Sequence, residues 1–185
     1  MVTIAGNGMG KYDFSNLELN FYNYDKIICD LNFIDNGRNI LKLKFKDAQD
    51  YILENFEKEN ILYVVTGSPL FFSAGTIIAN KLPKDKVKII NNISSKTYLL
   101  EKLFVSENDV SVVSIHGRVS IDLEEFLKKK YTFVLSDKNS IQRLNEALSF
   151  FEKDSISTTI GYKLAYEDEK IEEINLFDFD DKKYD

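Results

Sequence analysis

Residues 61–75, ILYVVTGSPLFFSAG, constrain the fold of this chain more than any other stretch. Residues 61–66 form a short run of apolar and β-branched side chains, the pattern of a strand covered on both faces. Gly67 breaks the run, Ser68 offers an N-cap oxygen, and Pro69 suits a first helical position, where its missing N–H is harmless. Leu70, Phe71, Ala74, Ile77, Ile78 and Lys81 continue at helical spacing, which predicts a helix from Pro69 onward. A buried strand running straight into a helix leaves free backbone N–H groups and the positive end of a helix dipole at the carboxyl edge of a sheet. Open α/β sheets bind ligands at that edge. The same residues also suit a plain β–α corner that binds nothing.

The rest of the first half repeats the strand–helix pattern. Residues 2–5 read as a strand, and Gly6-Asn7-Gly8-Met9-Gly10 follows it. A dinucleotide fingerprint needs a third glycine where Lys11 stands and a helix where residues 12–15 look like a loop. Asp30 does close a second strand at 26–31, so the dinucleotide reading is weakened and stays open. What remains is a glycine loop whose backbone can approach a ligand, or a turn that only needs positive φ. Residues 36–38 are a turn, and Leu41, Leu43 and Phe45 alternate with lysines as in a strand. Asp47 is the expected N-cap of a helix carrying Ala48, Tyr51, Ile52 and Phe56. Pro83 ends the helix after Pro69. Val87–Ile90 is a further strand and Asn91-Asn92 a turn. Ile93-Ser94-Ser95 opens a helix with Tyr98, Leu99, Leu103 and Phe104, its two hydroxyls serving as caps or as contacts to a ligand's polar edge. Such alternation implies a mostly parallel sheet.

A domain boundary is expected near residues 105–110, giving domains 1–107 and 108–185, with no Gly/Ser- or Pro-rich linker between them. Residues 110–115 form a strand that ends in His116-Gly117-Arg118. Ser120 can cap a short helix with Leu123, Phe126 and Leu127. Tyr131–Leu135 is a strand, and residues 136–140 are its turn. Ile141, Leu144, Leu148 and Phe151 make a helical core stripe, and residues 156–162 are β-rich. Residues 167–185 are strongly acidic, with disorder expected at the extreme end.

Composition narrows the function. A net charge of -6 argues against general nucleic-acid binding, and any anionic ligand needs locally placed cations. Cys29 is the single cysteine and His116 the single histidine, so neither an internal disulfide nor a Cys- or His-based metal site is expected. The N-terminus reads as strand and turn, not a signal peptide, and no apolar run reaches membrane-span length. The expected compartment is the cytoplasm.

Ser114-Ile115-His116-Gly117-Arg118 resembles the strand-end Ser-x-His-Gly-Arg of tetrapyrrole methylases of the cobalt-precorrin-7 C5-methyltransferase type. Weaker resemblances follow in the family's order along nearly the whole chain. They are Gly6-Asn7-Gly8-Met9-Gly10 to a G-x-G-P-G loop, Gly37-Arg38-Asn39-Ile40-Leu41 to Gly-x-Arg-His-Leu, and Gly67-Ser68-Pro69-Leu70-Phe71 to Gly-Asp-Pro-Leu-Phe. Asn92-Ile93-Ser94-Ser95 resembles part of Pro-Gly-Ile-Ser-Ser, residues 135–140 resemble Leu-Thr-Asp-x-x-Asn-Ser, and residues 163–171 resemble Arg-Leu-Gly-Tyr-Pro-Asp-Glu-Arg-Ile. The chain departs from the pattern at Met9 for proline, Ser68 for aspartate and Asn91-Asn92 for Pro-Gly, and it stops near where a last apolar strand would be expected. A diverged enzyme, a different loop solution and weakened activity all accommodate these departures.

The resemblance implies two α/β domains, the N-terminal one with a mostly parallel sheet and the C-terminal one with a mixed sheet, and a ligand cleft between them. It implies S-adenosylmethionine as methyl donor and a cobalt-corrinoid tetrapyrrole as substrate. Gly67, Ser68, Leu70, Phe71, Ser94, Ser95, Asp137, Gly161 and Lys163 are then expected to bind the methyl donor. Gly8, Met9, Gly10, Arg38, His116 and Arg118 are expected to face the substrate, with the arginines suited to its carboxylates and His116 to relaying a proton. A homodimer and a separate C15-methylating, decarboxylating enzyme are expected partners. The alternatives are a related tetrapyrrole methylase with another target carbon, a non-catalytic descendant that binds a tetrapyrrole or a partner, and, more distantly, a dinucleotide-binding reductase.

Overall fold

A parallel sheet organises the first half. Its strands are β1 (Val2–Gly6), β2 (Lys26–Cys29), β3 (Ile40–Lys42), β4 (Ile61–Val65) and β5 (Val87–Ile90), in the order β3-β2-β4-β1-β5. All neighbouring strands run parallel, with Val2 opposite Ile61 on one side and Val87 on the other. The computed structural model describes residues 1–34, 39–116, 123–137, 141–152 and 155–179. Among these residues no helix is long and apolar enough to cross a membrane.

β1 and β4 are buried along their whole length because both faces of the sheet are covered. On one face Val2, Ile4, Ile28, Ile61, Tyr63 and Val65 pack with Ala48 and Ile52 of α1 (Phe45–Asn55) and Ile78 of α2 (Ala74–Ala79). On the other, Ala5, Ile27, Cys29, Leu62 and Val64 pack against Phe14, Leu17 and Phe33. That second layer is made by Phe14 and Leu17 of the segment joining β1 to β2 and by Phe33, just after β2, whose ring lies 5.1 Å from Phe14 and 5.4 Å from Tyr12 between centroids. Each fully buried aliphatic or aromatic side chain contributes about 1.5–3 kcal/mol.

Two helix starts differ from the sequence expectation. α1 begins at Phe45 with Lys44 as N-cap and no side-chain cap. Asp47 lies in its first turn, where a negative charge still meets the positive dipole end. Phe45 therefore belongs to the helix, and the strand before it is confined to Ile40–Lys42. α2 begins at Ala74, not at Pro69, with Ser73 accepting from the Gly75 N–H at 3.1 Å. Phe72 adopts φ 44, which interrupts helical geometry, and Thr76 Oγ1 donates to the Pro69 carbonyl at 2.6 Å. Residues 68–73 thus form a turn, and the helix dipole does not sit directly after β4.

The described residues divide into two compact units, Met1–Ser95 and Lys96–Asp185. The division falls ahead of position 107/108 because α3 (Ser95–Lys102) engages the second unit. Its Lys96 pairs with Glu107, and Leu99 lies against Gly161. α3 closes with Phe104 N–H bonded to the Glu101 carbonyl and Val105 N–H to the Leu100 carbonyl. Phe104 takes the left-handed position of this C-terminal motif at φ 52. It lies outside the helix and is 98% exposed, so it is not part of the expected helical stripe.

In the second unit β6 (Val110–Ser114) and β7 (Tyr131–Leu135) pair in parallel, and β8 (Thr158–Tyr162) and β9 (Lys170–Ile174) pair antiparallel. α4 (Leu123–Phe126) and α5 (Ile141–Ala147) are the α-helices that follow α3 among the described residues. Val113, Ile115, Leu144, Leu148 and Leu176 form its core, which agrees with the stripe read for α5. β9 lies inside the acidic stretch 167–185, for which the sequence pattern predicts no strand. Ile171 and Ile174 pair with Gly161 and Thr158 across the ladder, and Glu172 and Glu173 between them stay exposed. The expectations for residues 36–38, 117–118, 120, 138–140 and the extreme C-terminus lie outside the described residues.

Candidate functional site

Because β4, β1 and β5 are parallel neighbours, the loops that follow them leave the sheet at one edge. The first two loops are joined backbone to backbone. Gly8 N–H donates to the Gly67 carbonyl at 3.0 Å, and Gly67 N–H donates to the Gly8 carbonyl at 2.9 Å. This bridge needs φ 72 at Gly8 and φ 62 at Gly67, conformations open to glycine and strained for other residues. Asn7 N–H continues the attachment by donating to the Val65 carbonyl at 2.8 Å.

The third loop is tied in by side chains. Asn92 Nδ2 donates to the Gly6 carbonyl at 3.0 Å while its Oδ1 accepts from Ile93 N–H at 2.8 Å. Ser68 Oγ donates to Asn91 Oδ1 at 2.6 Å and accepts from Leu70 N–H at 3.1 Å. Gly8, Gly67 and Ser68 are therefore brought together. Met9 and Gly10 extend the first loop, and Ser94 and Ser95 extend the third into α3. Leu70 and Phe72 are exposed beside this cluster, and the Phe71 ring meets Phe72 edge-on at 4.9 Å.

The sequence reads Asn91-Asn92 as a turn and as a departure from a pattern, and Asn7 as a loop residue. Their amides hold the loops. Asn7 is fully buried, donates to the Lys11 carbonyl at 2.8 Å, and leaves its Oδ1 without a partner among the described residues. Two consecutive asparagines directly after a strand were the available signal, since an amide side chain can satisfy a neighbouring strand's backbone where proline and glycine cannot.

In the second unit the ends of β6 and β7 meet. The Ile115 and His116 N–H groups both donate to the Leu135 carbonyl, at 2.9 and 3.2 Å. His116 Nδ1 then lies 3.6 Å from Asp137 Oδ2. Two residues expected in different roles are thus neighbours, the imidazole beside a carboxylate. Arg38 and Arg118 lie outside the described residues.

Gly161 and Lys163 flank the start of the turn between β8 and β9. A Cβ at Gly161 would stand 3.0 Å from Leu164 and 3.1 Å from Leu99, so a larger residue there must displace packed side chains. Lys163 and Ala165 adopt φ 47 and 67, and Lys163 Nζ pairs with Asp168. Glu169 Oε2 accepts from Ala165 N–H at 2.6 Å and also bonds the Tyr98 hydroxyl of α3. The Ala165 N–H, opposed by desolvation and helped by Tyr98, holds the Glu169 carboxyl below the usual glutamate range. A carboxyl whose pKa is lowered by folding contributes stability above its unfolded pKa, and that contribution is lost as pH falls through the lower folded value. The Ala165 amide resonance is therefore expected to titrate with a midpoint below that of a free glutamate, and Glu169→Gln to abolish the titration. A midpoint at or above the ordinary glutamate value would show that the bond does not hold the turn.

The model of the family described as Tetrapyrrole (Corrin/Porphyrin) Methylases matches residues 23–180. A cobalt-precorrin-7 C(5)-methyltransferase of Salmonella typhimurium is 28% identical over 114 residues, covering 61% of this chain and 56% of that relative. The chain thus matches little more than half the length of that curated protein. Among solved structures, a cobalamin biosynthesis precorrin-6Y methylase from Archaeoglobus fulgidus has a TM-score of 0.72 at 21% identity, over 97% of this chain and 92% of that one. A uroporphyrin-III C-methyltransferase from Thermus thermophilus, complexed with S-adenosyl homocysteine, has a TM-score of 0.68 at 14% identity, over 95% and 83% of the two chains. At these identities the likeness shows a shared fold.

Proposed function

The chain belongs to the tetrapyrrole (corrin/porphyrin) methylases, and from that premise we propose that it is an S-adenosylmethionine-dependent C-methyltransferase acting on C5 of cobalt-precorrin-7. The observation that carries the reading is the joined set of loops after β1, β4 and β5, a surface of backbone and amide groups beside exposed Leu70 and Phe72. Such a surface suits a nucleoside-sulfur compound. The Cβ position of Gly67 is open, with its nearest neighbour at 4.0 Å, so a ligand can approach the backbone there. S-adenosylmethionine, when bound, supplies an already activated sulfonium methyl.

With an electron-rich ring carbon as the nucleophile, the protein's task is alignment and exclusion of water. In this reading Gly67, Ser68, Leu70, Phe71, Ser94 and Ser95 of the first unit, and Asp137, Gly161 and Lys163 of the second, hold the methyl donor. Gly8, Met9, Gly10, Arg38 and Arg118 face the substrate, where guanidinium groups pair with ring carboxylates. His116, beside Asp137, accepts the proton released when the ring carbon gains its methyl. The reading also carries a cytoplasmic homodimer and a separate enzyme for C15 methylation and decarboxylation.

The test is incubation of the chain with S-adenosylmethionine and cobalt-precorrin-7. The expected product is one methyl heavier and carries the methyl at C5 by NMR. A methyl on another carbon would assign a related methylase. An unchanged mass from folded protein, with no binding of S-adenosylhomocysteine at millimolar ligand, would overturn the enzymatic reading.

A further inference from the structure

Ser68 and Asn91 follow β4 and β5, strands that are not neighbours because β1 lies between them. Their side chains nevertheless bond at 2.6 Å. Ser68 is 6% exposed, and its single hydroxyl proton is committed to Asn91 while its oxygen accepts from Leu70 N–H. The Ser68 hydroxyl therefore has no proton left for a ligand. Asn91 is exposed, and its Nδ2 donates to no group among the described residues. In a planar amide with its oxygen held, the N–H groups are the end left to present.

We propose that Asn91 is a ligand-contacting residue of this strand-end site, donating from Nδ2 to an acceptor on the bound nucleoside-sulfur compound, and that the Ser68 side chain, as distinct from its backbone in the methyl-donor surface, is the positioning group that fixes the amide. The proposal rests on the methyl-donor reading above. It makes two of the departures from the family pattern, at Ser68 and Asn91, one coupled device. The carboxylate that the pattern places after β4 is replaced by an uncharged donor reaching from β5, with the serine as its anchor. The ligand group that it takes is an acceptor, either a carboxylate or a nucleoside oxygen or nitrogen.

Calorimetric titration of the full chain with S-adenosylhomocysteine tests this. Asn91→Asp keeps the oxygen that Ser68 holds and turns the presented donor into a charged acceptor, so a purely structural role leaves its binding unchanged. Asn91→Asp and Asn91→Ala are each expected to weaken binding about tenfold or more, with melting temperatures within about 2 °C of the parent. Ser68→Ala is expected to weaken binding about threefold in the parent and not at all in the Asn91→Ala background, the signature of residues acting as a unit. Methylthioadenosine, which has the nucleoside and no carboxylate, locates the acceptor. A persisting Asn91→Asp penalty assigns it to the nucleoside, and a vanished penalty assigns it to the carboxylate. A parent that binds S-adenosylhomocysteine while Asn91→Asp binds equally or more tightly overturns this proposal and leaves the methyl-donor reading standing, as do additive Ser68 and Asn91 effects. A parent that does not bind at millimolar ligand overturns both.

Discussion

Gly6→Ala is expected to destabilise the protein by about 3 kcal/mol or more, the largest effect of any single methyl added at the site. A Cβ at this position would stand 2.4 Å from the Gly67 carbonyl oxygen, 2.7 Å from Pro69 Cδ and 3.2 Å from Asn92 Cβ. The first two belong to backbone and to a proline ring, so neither can rotate away. Gly6 also ends β1 between β4 and β5, and a shift large enough to admit the methyl must part the Gly8–Gly67 bridge with its two hydrogen bonds. Overpacking of this kind costs about 1–3 kcal/mol, and each lost bond about 1 more. For a chain of this size the midpoint of thermal unfolding should fall by roughly 6–12 °C. Gly67→Ala is the control. There the nearest atom to the new Cβ is 4.0 Å away, and the penalty is the left-handed φ of 62 alone, about 1–2 kcal/mol. A Gly6→Ala protein that melts no lower than Gly67→Ala would show that the loops are not in contact at Gly6.

Asn92→Ala is expected to cost about 2–4 kcal/mol, because truncation strips a partner from two backbone groups at once. The Gly6 carbonyl loses its donor and Ile93 N–H loses its acceptor. Asn92→Asp separates the two contributions. Its carboxylate still accepts from Ile93 N–H but turns an oxygen toward the Gly6 carbonyl, so it is expected to be no more stable than Asn92→Ala. Urea unfolding measures both. The contrast with the neighbouring residue is the discriminating feature, since Asn91→Asp is expected to alter binding and leave stability intact. A parent-like midpoint for Asn92→Asp would remove the tie between β5 and β1 from the description of the site.

Most strands were legible because a buried strand is a local pattern. Ile61–Val65, buried along its length, agrees with its apolar, β-branched run to within one residue, and the more exposed Val87–Ile90 and Tyr131–Leu135 agree residue for residue. Pattern failed where two local solutions competed. Both Ser68 and Ser73 can cap a helix, and the choice of Ser73 follows from the left-handed Phe72 and the Thr76–Pro69 bond, which depend on how the turn settles over the sheet. β9 was hidden because its charges outnumber the Ile171 and Ile174 side chains that join it to β8.

The site divides in the same way. Glycines after β1 and β4, hydroxyls at the start of α3 and an acidic residue after β7 were visible as residue types in fitting places along the chain. Sequence alone determined the parallel α/β architecture of the first half, most of the runs that become strands and the family to which the motifs belong. Only the tertiary structure decided that Gly8 meets Gly67, that Ser68 holds Asn91 and that Asn92 reaches Gly6. Those contacts join residues far apart in sequence, and they exist because strand order sets β4, β1 and β5 side by side, a choice made by burial of the whole sheet and by no residue locally.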